Sequence, residues 1–246
     1  MQRQNSVGGN AVRDFVYRFF DEPILLAVNS LSNHSKIFDL MVDRFMMLET
    51  VRILPIVAAI IFVAYSDSSR APGKQNETFT VAIAGSFLAI LVSRIAQNIS
   101  ERPRPIYAHI EGFLPPFGMK QDIPADWSSF PSDTSALVFA LATAVFLKSR
   151  ALGSLCIVWA LVVASLPRIF TGYHYPSDVV VGIFIGVVST IVASACMPAR
   201  LLDMGETLRQ RYAALYHAGL FVILYLTATM FSDIRQTLRA VGEFIL

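Results

Sequence analysis

Charge is scarce in this chain. Of its 246 residues only 15% are charged and 54% are hydrophobic, against about 25% charge in soluble domains. That deficit excludes an ordinary water-soluble globule and implies a polytopic membrane protein. A net charge of +2 lacks the dense basic face that nucleic-acid binding requires, so no nucleic-acid partner is expected. Cysteine is almost absent: Cys156 and Cys196 both lie in apolar stretches, where a free thiol behaves as a small hydrophobe and says nothing of the redox compartment. The first 22 residues carry Arg3, Arg13, Asp14, Arg18, Asp21 and Glu22 without a sustained apolar stretch. No cleaved signal peptide is expected, and insertion would rely on internal spans. Repeats, low-complexity tracts and domain linkers are also missing, so residues 1–246 are expected to form one membrane domain.

What the chain does contain is apolar runs at 51–66, 79–99, 133–148, 152–167, 177–198 and 213–232. Each approaches the ~17 to 25 residues that cross a bilayer as a helix. The expected fold is all-α, a transmembrane helical bundle of about six spans with the lipid bilayer as its partner. Residues 11–48 mix Asp14, Asp21, Glu22, Lys36, Asp39, Asp43 and Arg44 with Phe15, Phe19, Phe20, Ile24, Leu25, Leu40, Met41 and Phe45. This predicts an N-terminal amphipathic segment lying on the membrane or against the bundle. A polar turn is expected at 67–78 and a charged connector at 199–211. Residues 105–130, with Pro105, Pro115, Pro116 and Pro124, cannot be one regular helix and read as a loop over a site.

Three polar knots interrupt the apolar pattern: Arg102-Pro103-Arg104-Pro105, Phe130-Pro131-Ser132-Asp133-Thr134, and an Arg-x5-His-x3-Asp string from Arg168 through His174 to Asp178. Ionisable groups near lipid are expensive and mark function. Guanidinium forks at Arg102, Arg104 and Arg168 match phosphate oxygens two at a time. Pro131 suits a first helical position, which would aim the N–H groups of Ser132, Asp133 and Thr134 at an anion. An Asp178 carboxylate bonded to one ring nitrogen of His174 would fix its tautomer and free the other nitrogen to attack, giving a phosphohistidine. Asp133 is expected to organise Arg168 or Arg102. The set calls for no metal and no other cofactor. Taken singly, the knots also read as an interfacial anchor, a helix cap and a structural His–Asp pair; their convergence on one membrane face favours a site. Tyr107, Tyr173, Tyr175, Trp127 and Trp159 fit an interfacial aromatic belt.

The order RPRP, FPSDT, R-x5-H-x3-D resembles the three signatures of the type 2 phosphatidic acid phosphatase (PAP2) superfamily, K-x6-RP, PSGH and SR-x5-H-x3-D, across residues 97–178. Within it the chain is most similar to the bacitracin-resistance type of undecaprenyl-diphosphate phosphatase. In that group the second signature reads PSD and a histidine, here His109, follows the first; Asn29, Leu31, Ser32 and Phe38-Asp39 share its look. The resemblance implies phosphate binding by Arg104 and Arg168, a nucleophile at His174 and its partner at Asp178, with Gln97, Arg102, Ser132, Asp133 and Thr134 lining the substrate site. Three positions depart from the pattern: Gln97 replaces the first-signature lysine, Pro167 the serine before Arg168, and Thr134 the second-signature histidine. In the family that histidine protonates the leaving oxygen, which threonine cannot do near neutrality. A diphosphate tolerates the loss best, because the lipid monophosphate it expels is already acidic, with a second pKa near ~6. His109 is either a second proton donor or a surface histidine. Arg94, one turn before Gln97, either restores the missing charge or is an interfacial anchor.

Three functions are consistent with these residues: hydrolysis of a polyprenyl or related lipid diphosphate or phosphate, transfer of the phosphoryl group to a lipid or sugar, and non-catalytic binding of a phosphorylated lipid. By resemblance the protein would sit in a bacterial inner membrane with the site facing outward.

Overall fold

A computed structural model describes residues 7–68, 74–119 and 127–229. Residues 69–73 of the expected polar turn, 120–126 of the proline-rich loop with Pro124, and 230–232 of the sixth apolar run lie outside them. Helices α1 (Val7–Val16), α2 (Glu22–Asn29) and α3 (Lys36–Leu40) form the amphipathic start, with π-helical turns at Tyr17–Asp21 and Met41–Met46. The bundle follows as α4 (Glu49–Ser68), α5 (Lys74–Ile99), α6 (Asp133–Lys148), α7 (Arg150–Trp159), α8 (Leu166–Phe170) and α9 (Pro176–Cys196). A π-helical stretch, Ala160–Ser165, makes α7 and α8 one continuous rod. Helices α10 (Ala199–Arg211) and α11 (Ala213–Ala228) complete the described chain, which contains no strand. Within the described residues each of the six expected runs falls on helix, the fifth ending at Cys196 and the sixth followed to Ala228.

Four of these are long and apolar enough to cross a bilayer: Glu49–Ser66, Glu77–Ile99, Arg150–Phe170 and Pro176–Cys196. Helix α6, at 16 residues, is shorter and occupies the centre, with every residue from Thr134 to Val145 buried. A helix apolar on all faces buries itself within its neighbours. Along α4, Ile53, Ile56, Val57, Ile60, Val63 and Ala64 repeat at helical spacing and join Phe79, Leu137, Leu141 and Val145 in the core. Outward, Phe62, Phe87, Ile95, Leu155, Phe184 and Ile191 are exposed, the pattern of side chains that meet lipid rather than water.

Small residues bring α6 and α9 together. A Cβ on Gly182 would meet the Ser132 carbonyl oxygen at 2.4 Å, and one on Gly186 the Ala136 oxygen at 2.2 Å. This Gly-x3-Gly face permits backbone contact in the way favoured inside membranes. Lys148, at the end of α6, pairs with Glu77 near the start of α5 at 2.9 Å, fixing one end of the bundle. The opposite end gathers the start of α4, the end of α5, the start of α6, the end of α8 and the start of α9. The three knots therefore share one face.

The amphipathic start packs against that end. Asp21, Leu25, Asn29, Ser32 and Asp39 turn inward and are buried, while Phe15, Phe19, Leu31 and Ile37 are exposed. Asn29 accepts from Leu114 N–H and donates to the carbonyls of Leu114 and Phe170, at 2.9, 2.9 and 3.3 Å. Asp39 accepts from Phe117 N–H at 2.9 Å. These polar side chains hold the proline-rich loop over the helix ends.

Candidate active site

His174 lies in the short turn between α8 and α9. Gly172 there has φ +71°, which a side chain rarely adopts, and an added Cβ would strike Phe113 at 2.4 Å. The N–H groups of Tyr173 and His174 both donate to the Arg168 carbonyl, at 2.9 and 3.1 Å. The imidazole is 1% exposed. Its Nδ1 is 2.7 Å from the Ser129 carbonyl oxygen. A carbonyl can only accept, so Nδ1 carries the proton and Nε2 the lone pair. The sequence predicts that Asp178 fixes the tautomer, but the carboxylate is 3.8 Å from Nδ1 and accepts instead from Tyr175 N–H at 2.8 Å. Burial pushes the imidazole below its ordinary pKa, Asp178 opposes the shift, and Arg104 and Arg168 add to it.

Arg104 ties together the two backbone segments that hold this ring, donating from Nη1 to Tyr173 O at 2.8 Å and from Nη2 to Ser128 O at 3.2 Å. Its Nε is buried without a partner. Burial and the nearby Arg168 pull its pKa down to about 10, so it remains cationic at neutral pH. Arg168 donates from Nη2 to Thr134 Oγ1 at 2.5 Å and its Nε is likewise unpartnered. Five donors per guanidinium leave most of each fork unused.

Arg102 behaves otherwise than expected. Its Nη1 lies 2.5 Å from Asp178 Oδ1 and 2.8 Å from Ser177 Oγ, its Nη2 2.5 Å from Asp21 Oδ2, and the guanidinium stacks 4.0 Å over Tyr175. Clamped between two buried carboxylates, it orients Asp178 and is not a free phosphate ligand. Asp21 was not singled out as a site residue; it also accepts from the Ser177 N–H and hydroxyl, both at 2.8 Å. In the sequence Asp21 is one of several charged residues of the amphipathic stretch, and nothing sets it apart from Asp14 or Glu22. Tyr173 and Tyr175 are buried beneath arginines rather than placed in an aromatic belt.

The second knot also differs in detail. Helix α6 begins at Asp133 with Ser132 as its cap, so Pro131 precedes the helix instead of opening it. The Ser132 N–H donates to Asp178 O at 3.0 Å and the Thr134 N–H to Asp133 Oδ1 at 2.8 Å, which leaves neither for an anion. Asp133 pairs with Arg94 at 2.8 Å, not with Arg168 or Arg102. Gln97 accepts from Arg94 Nη1 at 3.1 Å and donates to Pro131 O at 2.9 Å; its amide stitches α5 to the α6 entrance. His109 is exposed at φ 50° on the covering loop and stands apart from the buried cluster. A recess of about 620 Å³ is lined by Arg94, Gln97, Arg102, Arg104, Trp127 and Ser128.

A sequence profile of the PAP2 superfamily matches residues 78–202, just over half of the chain and all three knots. The chain belongs to the PAP2 superfamily. It is 35% identical over 89 residues to the bacitracin transport permease protein BcrC of Bacillus licheniformis, covering 34% of this chain and 43% of that protein. Over 113 residues it is 32% identical to decaprenylphosphoryl-5-phosphoribose phosphatase of Mycobacterium tuberculosis, covering 46% and 58%. A longer match, 28% over 171 residues, reaches undecaprenyl-diphosphatase BcrC of Bacillus subtilis, covering 66% and 79%. The chain thus spans about half the length of the first two relatives. In three dimensions it superposes on the crystal structure of Aquifex aeolicus LpxE with TM-score 0.52 at 21% identity, covering 70% of this chain and 93% of that one, which establishes a shared fold.

Proposed function

We propose that this PAP2 protein is an integral-membrane lipid phosphatase that cleaves a polyprenyl diphosphate or a related lipid phosphate through a phosphohistidine at His174. One observation carries the reading: a buried imidazole with its lone pair on Nε2, flanked by two arginines whose Nε donors have no partner. Nε2 attacks phosphorus, and Arg104 and Arg168 take the phosphoryl oxygens, whose charge grows in the transition state. The phosphorylated ring becomes an imidazolium, and the Asp178 carboxylate at 3.8 Å supplies the compensating charge. Water then displaces the ring from phosphorus. Arg102 and Asp21 act at one remove by holding Asp178, while Gln97, Asp133 and Arg94 shape the recess. Ser132 and Thr134 place the α6 entrance, with Thr134 steering Arg168. His109, exposed on the covering loop, would meet the head group only at the edge of the site. The relatives named as phosphatases of undecaprenyl and decaprenyl compounds favour a long-chain lipid; the absence of linkers supports one domain, and the likeness of the three signatures to their family supports an inner-membrane site facing outward.

Purified protein in detergent, given a panel of lipid monophosphates and diphosphates, should release inorganic phosphate from a diphosphate, and His174→Gln should abolish release without loss of monodispersity. Release at the wild-type rate by that variant would require another nucleophile. Transfer to a lipid or sugar acceptor is the second reading, favoured by the 1% exposure of His174, which limits water; a phosphorylated acceptor in the same assay would select it. Saturable binding without turnover on any substrate would leave the non-catalytic reading.

A further inference from the structure

Helix α4 contributes a residue that no signature contains. Arg52 is 3% exposed, and its Nε and Nη1 are buried without a hydrogen-bond partner. It makes no ion pair within 4.0 Å among the described residues; Glu49 and Asp133 attract it from farther off and Arg168 repels it. Seven buried side-chain polar atoms lack partners among the described residues, and four are guanidinium nitrogens of Arg52, Arg104 and Arg168. Unpaired buried cations are costly, and like charges set side by side are costlier still, so the arrangement is built for an anion. Position separates the three. His174 feels Arg104, Arg168 and Asp178 most strongly, whereas Arg52 feels Arg168, Glu49 and Asp133. Helix α4 packs against α6 and against the Ala160–Ser165 stretch that leads into α8, which puts Arg52 beyond Arg168 as seen from the nucleophile. A phosphate held at His174 would thus face Arg104 and Arg168, and a second one attached to it would lie toward Arg168 and Arg52.

Resting on the phosphatase reading above, we propose that Arg52 binds the second phosphate of a lipid diphosphate and stabilises it as the leaving group, in place of the proton donor that Thr134 cannot be. Nε2 of neutral His174 attacks the terminal phosphorus, and the bond from that phosphorus to the bridging oxygen breaks. The electron pair leaves on the bridging oxygen of the lipid monophosphate, where the Arg52 and Arg168 guanidiniums face it. No proton is needed in this step. Water then attacks the phosphoryl group, the P–N bond breaks, and dihydrogen phosphate departs with both protons of the water while the ring returns to neutral.

The test compares farnesyl diphosphate with farnesyl monophosphate, using wild type, Arg52→Gln and Arg52→Lys in detergent. The ratio of diphosphate to monophosphate turnover should fall about 100-fold in Arg52→Gln, the size of effect seen when one preorganised donor to a developing charge is removed. In that variant kcat on the diphosphate should climb as pH drops through ~6, where the leaving phosphate takes its own proton; wild type should show no such climb. Inhibition by inorganic pyrophosphate should weaken more than inhibition by phosphate. An unchanged turnover ratio together with an unchanged pyrophosphate-to-phosphate inhibition ratio would overturn the assignment and leave Arg52 a structural residue. Arg52→Lys carries the same comparison if Arg52→Gln does not purify as monodisperse protein: a partial fall in both ratios supports the role, and no fall overturns it. Wild type inactive on both substrates would instead sink the phosphatase reading itself.

Discussion

Asp21→Asn is the most informative perturbation outside His174, because it removes one charge and almost no volume from a fully buried group. Asp21 is 0% exposed and accepts from Arg102 Nη2 at 2.5 Å and from the Ser177 N–H and hydroxyl at 2.8 Å each. A hydrogen bond to a charged partner contributes about 1.5–3 kcal/mol, and leaving one member of a buried pair uncompensated costs about 3–5 kcal/mol. Arg102 retains Asp178 at 2.5 Å and the face of Tyr175 at 4.0 Å, and the asparagine oxygen still accepts one of the Ser177 bonds. The net loss should therefore fall near the overlap, about 2–4 kcal/mol. For a chain of this size that is a drop of roughly 5–15 °C in the midpoint of thermal unfolding in detergent. An Arg102→Gln partner completes a double-mutant cycle, and the two changes should couple by at least about 1 kcal/mol. A midpoint within 1 °C of wild type, or additive losses in the cycle, would refute the view that the amphipathic start is locked to the site through this ion pair.

Activity should follow the neutral imidazole. Burial lowers the His174 pKa, so the acid limb of kcat/KM should lie below the ordinary value of about 6.5. Asp178→Asn removes the group that opposes this shift and should move the limb lower, whereas Arg104→Gln removes a depressing charge and should move it higher; a wild-type limb above 6.5 contradicts the burial reading. Stability has the same sign: the unfolded chain takes the proton first, so this contribution is complete above about 6.5 and declines as pH falls through the window down to the folded value. Gly186→Ala places a methyl 2.2 Å from the Ala136 oxygen and should destabilise by about 1–3 kcal/mol as α6 and α9 are forced apart, read as a lowered unfolding midpoint; no change would mean that the helices slide without cost. Thr134→His should raise turnover of lipid monophosphates by restoring a proton donor, and His109→Ala should reduce turnover of diphosphates only modestly given its exposure; a large loss in the second variant would assign His109 the missing proton.

The all-α membrane bundle was legible from the sequence because apolar runs and their interruptions are local: among the described residues each of the six runs falls on helix, and the three knots lie at the breaks between helices. Residue types at short spacing also carried the proposed nucleophile, since Arg168 at the end of α8, His174 in the turn and Asp178 at the start of α9 lie within eleven residues. Partnership was not legible. The Asp178 carboxylate four residues after His174 suggested a direct bond, yet the ring donates to Ser129, 45 residues away, because the backbone around the α8–α9 turn aims Nδ1 across the site. Arg102 and Arg104 are near neighbours of one type and look alike in sequence. Only the packing of the amphipathic start, which brings Asp21 within 2.5 Å of Arg102, makes the first a strut and leaves the second open to an anion. Arg52 is the extreme case: it lies within the first apolar run and no sequence motif marks it, until α4 packs beside α6 and buries its Nε and Nη1 unpaired. Composition and periodicity by themselves determined the all-α membrane fold class and where the three knots interrupt it, since these depend on hydrophobicity and on residues close along the chain. Which charges neutralise one another and which remain free for a ligand was decided by tertiary structure alone, because Coulomb and hydrogen-bond energies depend on distances between groups that the sequence holds far apart.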